Sequence, residues 1–218
     1  MIGVVGLGIM GAGIVEVFAK NGHSVVGVAE SDAAVEQGRA NLAKSLGRAV
    51  ERGKISTDQA AAITASVTWG TDFALLADCD LVVEAAPERI DLKRAIFSQL
   101  DEHVKPAGIL ASNTSSLSVT QIAQATSRPG QVVGMHFFNP APIQRFVEII
   151  RTPESHNDAV RYVTELAASM GKHAAVIGDE PGFIVNRLLM VYINHAMWLH
   201  DLGHGTPAQL DVAMRAYA

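Results

Sequence analysis

The chain has 218 residues, of which 49% are hydrophobic and 6% aromatic, and a formal net charge of −5, so it can bury a core and form one large domain or two small ones. The acidic balance gives no electrostatic footprint for nucleic acid. The single cysteine, Cys79, excludes an intramolecular disulfide and favours a reducing compartment. No stretch is long and apolar enough to span a membrane. We therefore expect a cytoplasmic protein.

The first thirty residues have the pattern of a nucleotide-binding strand–turn–helix–strand unit. Residues 1–5 and 25–29 predict strands, and residues 12–19 have helical spacing. The turn after the first strand reads Gly6-Leu7-Gly8-Ile9-Met10-Gly11. In such a turn the first glycine permits a tight bend, the second lets a pyrophosphate approach the backbone, and the third lets the helix lie close to the strand. The pyrophosphate would bind N–H groups at the start of the helix.

An acidic residue follows the second strand. Glu30 comes about 20 residues after Gly11, the spacing at which a carboxylate reaches the adenosine ribose. The segment up to Val15 is uncharged and could be taken for a signal peptide, but it lacks a basic start and glycines interrupt its apolar run. We therefore expect a dinucleotide site rather than a secretion signal.

A helical pair, longer than a crossover requires, is predicted next, over about 32–65. The first helix runs from Asp32 to about Arg52, and the second starts with Ser56 as N-cap and Gln59 in the capping-box position. Lys44, Arg48 and Arg52 recur every four residues and so share one helix face. This face is either simply solvated or a docking surface for an anionic substrate tail.

Strands and helices alternate over the following residues. The predicted strands are 66–70, 80–84, 108–111, 131–136, 145–150 and 172–177, and the predicted helices are 91–100, 119–125 and 154–170. This order is typical of an α/β fold with a Rossmann-type, doubly wound, mostly parallel sheet. Cys79, at the entrance to an apolar strand, is expected to be a small buried hydrophobe.

The sequence Asp179-Glu180-Pro181-Gly182 predicts a domain boundary. We expect a nucleotide-binding domain over 1–180 and the beginning of an all-α C-terminal domain over 181–218. The latter has one helix from Phe183 to about Leu202 and another that starts with Thr206 and Pro207. Two helices cannot close a core alone, so we expect that they pack on another chain or that the sequence is a fragment of a longer protein.

Polar residues follow three of the predicted strands. Glu84 and Glu88 follow one, Ser112-Asn113-Thr114-Ser115-Ser116 ends the next, and His136 with Asn139 ends a third. Parallel strands bring these residues to the carboxyl edge of the sheet, where open α/β folds bind ligands and where the glycine turn also lies. The sequence therefore predicts one site at this edge.

His136 and Glu148 are the most suggestive chemical pair. Glu148 lies in an apolar strand and needs a partner there, and the connection through Pro140 and Pro142 can fold the two strands side by side. The pair is either structural or a general base with its orienting carboxylate. The other histidines have no metal-ligand spacing, so no metal is expected, and the serines lack the G-x-S-x-G elbow of hydrolases.

Five segments resemble the L-3-hydroxyacyl-CoA dehydrogenase family, and most of all the bacterial 3-hydroxybutyryl-CoA dehydrogenases. They are the glycine turn 6–14, Asp80-Leu81-Val82-Val83-Glu84-Ala85, Ala111-Ser112-Asn113-Thr114-Ser115-Ser116-Leu117, Gly134-Met135-His136-Phe137-Phe138-Asn139-Pro140 and Pro181-Gly182-Phe183-Ile184-Val185-Asn186-Arg187. The resemblance extends over the whole chain, in order.

The resemblance implies roles for individual residues. His136 would be the general base, oriented by Glu148, with Ser115 and Asn186 completing the reacting end. The further NAD contacts would be Glu88, Lys93, Ser115 and Asn139, and the CoA contacts Ser45 and Arg52. They add to the NAD contacts that the turn pattern and the spacing predict, which are Gly6, Leu7, Gly8, Ile9, Met10, Gly11 and Glu30. The sequence departs from the family pattern at one position that bears on the choice between NAD and NADP. Ala29 stands where the family has its acidic residue, and Glu30 comes one residue later.

The expected activity is NAD-dependent oxidation of a short-chain (S)-3-hydroxyacyl-CoA. The complete protein is expected to be a homodimer, because the family's longer C-terminal domain forms the dimer interface. The alternatives are a related dehydrogenase of a sugar acid or a dicarboxyl-CoA, and a non-catalytic nucleotide-binding relative.

Overall fold

The structure, a computed structural model, describes residues 1–217. Its strands are β1 (Ile2–Val5), β2 (Val25–Val28), β3 (Val67–Gly70), β4 (Leu81–Glu84), β5 (Ile109–Ser112), β6 (Val132–Phe137), β7 (Phe146–Arg151) and β8 (His173–Gly178). Its helices are α1 (Ile9–Lys20), α2 (Asp32–Glu51), α3 (Thr57–Ala65), α4 (Ile90–His103), α5 (Val119–Ala123), α6 (Asn157–Ser169), α7 (Val185–Asp201) and α8 (Pro207–Tyr217). Short 3₁₀ turns lie over Phe73–Leu76 and Pro129–Gln131.

All eight strands form one sheet in the order β3-β2-β1-β4-β5-β6-β7-β8. Neighbouring strands are parallel except β6 and β7, which pair antiparallel. The connection from Phe137 to Phe146 is too short for the crossover that a parallel pair requires, so the chain turns straight back. The predicted doubly wound, mostly parallel sheet is therefore confirmed.

Each face of the sheet is covered by helices over its own core. Alternate strand residues point to opposite faces, so Val4 and Val83 pack on one face while Val5 and Val82 pack on the other. Helices α1, α2 and α6 cover the first face, and α4 and α5 cover the second. Burial of apolar surface on both faces, at roughly 25 cal/mol per Å², is the main stabilising contribution.

The second helix of the insertion, α3, has the predicted capping box. Ser56 accepts a hydrogen bond from the N–H of Gln59, whose side chain accepts one from the N–H of Ser56, so the capping box is complete. Val35, Leu42 and Leu46 bury one stripe of α2 against the core, at the spacing of one helix face. The opposite face of the helix stays exposed and carries its charges.

Some predicted boundaries differ from the observed ones. Helix α1 begins at Ile9, inside the glycine turn, rather than at Ala12. Helix α6 begins at Asn157 rather than Glu154, because Thr152 and Ser155 form a hydrogen-bonded turn. The Ser155 hydroxyl also donates to the Val132 carbonyl and fixes that turn on β6. Cys79 is buried, as predicted, and burial raises the pKa of its thiol to about 11.

Helices α7 and α8 bury none of their described residues. Their exposed apolar side chains include Leu188, Val191, Met197, Trp198 and Val212. Neither of them, nor any other described helix, has the length and apolarity that a membrane crossing requires.

Asp179, just after β8, connects the end of this strand to the start of α5 through hydrogen bonds. Its carboxylate accepts the N–H of Val119 (3.0 Å), the N–H and hydroxyl of Thr120 (2.7 and 2.6 Å) and the hydroxyl of Ser118 (2.8 Å). Burial acts to raise the pKa of Asp179, but these hydrogen bonds outweigh it and hold the pKa below its usual range.

We predict that Asp179→Asn lowers the free energy of unfolding at pH 7 by about 1–3 kcal/mol, because charge-assisted hydrogen bonds are lost. The carboxyl pKa is lower in the folded than in the unfolded state, so its contribution is complete above the unfolded pKa and disappears as the pH falls through the folded one. Urea unfolding should show that the free energy of unfolding differs between variant and wild type by a constant amount from pH 7 to 5, and that this difference shrinks below about pH 4. A difference independent of pH would contradict this account.

Candidate active site

The glycine turn forms an open cradle at the start of α1. Gly6 has a φ of +88°, which favours glycine. A Cβ on Gly11 would lie 1.7 Å from the Gly6 carbonyl oxygen, so a side chain there cannot fit. A Cβ on Gly8 would meet nothing within 4 Å, and no side chain caps the first N–H groups of the helix. The cradle therefore fits a dinucleotide pyrophosphate.

The end of β2 carries Ala29 followed by Glu30. Ala29 is buried and its N–H donates to the Gly70 carbonyl, whereas Glu30 is exposed in the turn that leads into α2. Glu30 is thus the carboxylate nearest this strand end that faces solvent.

The carboxyl ends of the central strands lie in register. Val5, Glu84 and Ser112 are paired across β1, β4 and β5, and Ser112 is paired with Gly134 of β6. His136 lies two residues further along β6. The structure therefore brings the polar residues predicted from the sequence to the same edge as the glycine turn.

Glu88 organises the loop that follows β5. Its Oε1 accepts hydrogen bonds from the Thr114 hydroxyl (2.5 Å) and from the N–H groups of Ser115 (2.9 Å) and Ser116 (3.1 Å). Burial acts to raise the pKa of Glu88, but these hydrogen bonds and the Lys93 ammonium hold it below its usual range. Lys93 itself is 1% exposed and lies 3.4 Å from Oε2 of Glu88.

His136 and Glu148 face each other across the antiparallel pair β6–β7. Nδ1 of His136 lies 2.8 Å from Oε2 of Glu148, which is fully buried. An ionised carboxylate can only accept, so in the neutral imidazole Nδ1 carries the proton and Nε2 has the lone pair. In the described part of the chain, nothing is hydrogen-bonded to Nε2, and the ring retains 5% exposure. The imidazole is thus oriented to take a proton from a ligand.

The second oxygen of Glu148 holds the start of α7. Oε1 accepts the N–H groups of Ile184 (3.0 Å) and Val185 (2.9 Å), a favourable position for an anion. Phe183, before them, has a φ of +51°, uncommon for a bulky residue. Its buried ring packs 5.6 Å from the His136 ring between centroids, and this burial offsets the strain.

Asn186 closes the site from α7. Its Nδ2 donates to the Ser115 carbonyl at 3.3 Å. On the opposite side of the loop, the N–H of Phe137 donates to Oδ1 of Asn113 at 2.8 Å. The Ser115 loop is therefore linked both to the start of α7 and to the strand that carries His136.

A cleft of about 300 Å³ runs between the insertion and the sheet edge. Its lining residues come from α1, α2 and the loop after β6, and they include Ile9, Lys44, Ser45, Arg48 and Asn139. It adjoins a second cleft of about 230 Å³ that Ser45, Arg48, Arg52, Lys20 and Lys54 line. We call the two together the basic cleft. Glu16 lies between them, buried and paired with Lys20.

One further residue, Lys172, contributes to the site although no signal in the sequence singles it out. Lys172 is buried, and its Nζ donates to the carbonyls of Ala141 (2.9 Å) and Gln144 (2.7 Å), fixing the loop that forms one wall of the basic cleft. Burial lowers the pKa of Lys172. Asn113 was placed at the site by the sequence, but its hydrogen bond to the N–H of Phe137 was not predicted. Both residues act through backbone groups that only the folded chain brings near. Among residues 1–217, no cluster of three His, Cys, Asp or Glu side chains could hold a metal ion.

A glycine cradle on a doubly wound sheet, with an oriented imidazole on the same edge, defines a nucleotide-dependent dehydrogenase. Family models agree: the model described as "3-hydroxyacyl-CoA dehydrogenase, NAD binding domain" matches residues 1–180, and the one described as "3-hydroxyacyl-CoA dehydrogenase, C-terminal domain" matches residues 182–218. The chain belongs to the 3-hydroxyacyl-CoA dehydrogenase family, its cofactor is NAD, and it is an oxidoreductase.

Similar proteins carry matching names. A probable 3-hydroxybutyryl-CoA dehydrogenase of Deinococcus radiodurans is 42% identical over 98% of this chain and 76% of its own length. The 3-hydroxybutyryl-CoA dehydrogenase of Clostridioides difficile is 39% identical over 98% and 76%. The crystal structure of (S)-3-hydroxybutyryl-CoA dehydrogenase from Ralstonia eutropha superposes with a TM-score of 0.92 at 40% identity, covering 95% of this chain and 74% of that one.

We predict that two substitutions in the glycine turn separate binding from folding. Gly8→Ala adds a methyl group where no protein atom lies within 4 Å, so the melting temperature should stay within about 2 °C of wild type. Since that methyl group would stand where the pyrophosphate approaches, the Kd for NADH should rise roughly 10-fold or more.

Gly11→Ala is the matched comparison, because its methyl group collides with the Gly6 carbonyl. It should lower the melting temperature by several degrees. Calorimetry and titration of NADH fluorescence measure the two properties. Unchanged NADH affinity in Gly8→Ala would contradict the assignment of the cradle.

Proposed function

We propose that the protein catalyses the reversible, NAD-dependent oxidation of a short-chain (S)-3-hydroxyacyl-CoA, such as 3-hydroxybutyryl-CoA, to the 3-oxoacyl-CoA. The observation that carries the proposal is the His136–Glu148 pair, whose free Nε2 lies at the sheet edge that also holds the glycine turn. An alcohol oxidation needs a base for the hydroxyl proton at this edge.

The proposed cofactor residues surround the cradle and the Ser115 loop. The backbone of Gly6, Leu7, Gly8, Ile9, Met10 and Gly11 would hold the pyrophosphate, and Glu30 the adenosine ribose. Glu88, Ser115 and Asn139 would line the nicotinamide side, which Lys93 reaches through Glu88. When bound, NAD supplies the hydride acceptor for the substrate carbon.

The proposed proton path starts at the substrate hydroxyl and ends on His136. Nε2 takes the proton as the C–O bond gains double-bond character, and Glu148 stabilises the resulting imidazolium through Nδ1. Ser115 and Asn186 would orient the 3-oxygen from the opposite side of the site. In the reduction direction, the same imidazolium returns the proton.

The basic cleft is proposed as the CoA site. Lys44, Arg48 and Arg52 line it together with Lys20 and Lys54, and they form a cationic surface on a protein with a net charge of −5. Ser45 and Arg52 would contact the nucleotide end of CoA. If the cleft binds CoA, this face of α2 is a docking surface for the substrate and not simply a solvated face.

We further propose a division into two domains, a homodimer and a cytoplasmic location. The division into a nucleotide-binding domain (1–180) and a helical C-terminal domain (181–218) is supported by the ranges of the two family models. Homodimerisation is supported by the exposed apolar side chains of α7 and α8. A cytoplasmic location is supported by the free, buried Cys79.

We predict that the wild-type protein oxidises NADH in the presence of acetoacetyl-CoA and oxidises NADPH much more slowly. We also predict that His136→Gln lowers kcat roughly 10²- to 10⁴-fold while the Kd for NADH stays unchanged. NADH absorbance and fluorescence titration measure the two quantities. The exposed His204, changed to Gln, is the matched control and should retain full activity.

Three results would overturn the proposal. They are near-wild-type turnover in His136→Gln, the absence of turnover with acetoacetyl-CoA, and activity on a hydroxy acid that lacks CoA. The last result would favour a sugar-acid dehydrogenase instead.

We predict that Arg52→Gln raises the KM for acetoacetyl-CoA roughly 3- to 10-fold with little change in kcat, because an exposed contact to a phosphate is lost. Acetoacetyl-pantetheine lacks the nucleotide, so its KM should be the same for variant and wild type. The exposed Arg161, changed to Gln, serves as the control of equal charge. Equal KM effects on both thioesters would contradict a nucleotide contact.

A further inference from the structure

Glu16 is a buried carboxylate to which the proposed reaction gives no role. It is 1% exposed, and its Oε1 accepts a hydrogen bond from the Lys20 ammonium group, one turn further along α1. Its other oxygen, Oε2, has no hydrogen-bond partner among residues 1–217. Buried polar atoms are normally hydrogen-bonded, because their removal from water is costly. The protein itself therefore uses only one of the two oxygens.

The free oxygen of Glu16 opens into the basic cleft. Within the described chain, every fully buried side-chain nitrogen and oxygen has a hydrogen-bond partner, so an oxygen without one must reach solvent. Glu16 lines both parts of the basic cleft, and Oε2 therefore reaches solvent there. The residue offers a hydrogen-bond acceptor to a ligand in the cleft, in surroundings that shield it from bulk water.

The two parts of the basic cleft differ in charge and in distance from the reacting groups. The part of about 230 Å³ has four cationic side chains, which are Lys20, Arg48, Arg52 and Lys54. The part of about 300 Å³ extends to Asn139, on the loop that follows His136. Because Glu16 belongs to both parts, a ligand that runs from the cationic end toward His136 passes the free oxygen.

The order of groups in an acyl-CoA fits this layout. Its phosphates match the cationic end of the cleft, and its thioester has to reach His136. The pantetheine arm lies between them, is uncharged and carries amide N–H groups. A carboxylate repels a phosphate but accepts a strong hydrogen bond from an amide. The acceptor on Glu16 is thus located where such a ligand has neutral donors.

We propose that Glu16 binds the pantetheine arm of the acyl-CoA, and that its Oε2 accepts a hydrogen bond from an amide N–H of that arm. Lys20 holds the other oxygen and so fixes the direction of the free one. The proposal rests on the proposed function, because it takes the basic cleft as the CoA site.

The test compares Glu16→Met with Glu16→Gln, using the Kd for acetoacetyl-CoA and for acetoacetyl-pantetheine. Calorimetry in the presence of NAD gives these values without turnover, because the thioester and the cofactor are then both oxidised. Glu16→Met removes the acceptor, so the Kd for each thioester should rise by the same factor, roughly 5- to 20-fold. Glu16→Gln keeps an acceptor oxygen, and both Kd values should stay within about 3-fold of wild type.

Asp101→Asn is the matched control, because it removes a carboxylate that is ion-paired with Arg128, outside the basic cleft. It should lower the melting temperature and leave both Kd values unchanged. Glu16→Met is expected to fold, because the side chain of Lys20 is 28% exposed and its ammonium group stays hydrated without a partner.

A ligand analogue decides the question even if Glu16→Met does not fold. Acetoacetyl-pantetheine in which esters replace the amides has no N–H donor there, so its Kd for the wild-type protein should be roughly 5- to 20-fold higher. Equal Kd values for the amide and the ester compounds would overturn the proposal.

Other results with Glu16→Met also count against the proposal. A rise in Kd confined to acetoacetyl-CoA would mean that Glu16 acts on the nucleotide through Lys20, and a fall in either Kd would mean that the carboxylate repels the ligand. Wild-type protein that binds both thioesters but does not oxidise NADH would refute the proposed function and not this inference. Turnover by the wild type, with unchanged Kd values in Glu16→Met, would refute this inference alone, and binding of neither thioester would refute both.

Discussion

The carboxylate of Glu148 is the constraint on which the site depends. It is fully buried, and each of its oxygens has a separate task. One oxygen orients His136, and the other accepts the first two N–H groups at the start of α7. The cost of burying a charge is thereby offset by strong hydrogen bonds. The orientation of the imidazole and the attachment of the C-terminal helices therefore depend on one side chain.

This arrangement follows from the single antiparallel pair in the sheet. Because β7 returns directly beside β6, Glu148 lies opposite His136 on neighbouring strands. A parallel strand in that position would have required a crossover helix, and its register with His136 would have been set elsewhere. The next strand, β8, runs parallel to β7, and the segment after it carries Phe183, which packs against the histidine ring.

Buried charge is concentrated at the carboxyl edge of the sheet. Glu84 and Lys93 form a fully buried ion pair there, and the buried carboxylate of Glu148 is hydrogen-bonded to His136. Such pairs add little net stability compared with apolar packing, because desolvation cancels much of the attraction. Their effect is geometric: they hold polar groups at fixed positions beside the glycine cradle. The basic cleft, in contrast, has exposed cations, of which only Lys20 is paired with a carboxylate among the described residues, that of Glu16.

The sequence by itself determined the fold class, the glycine turn, the capping box of α3 and the set of polar residues at the strand ends. These features are local: strand and helix periods, capping chemistry and the backbone freedom of Gly6 are encoded within a few residues. The tertiary structure decided the hydrogen-bond partners of Asn113, Lys172 and Glu84, and the second role of Glu148. Their partners are backbone groups or hydroxyls distant in the sequence, so the hydrogen bonds exist only after long-range packing has brought the strands together.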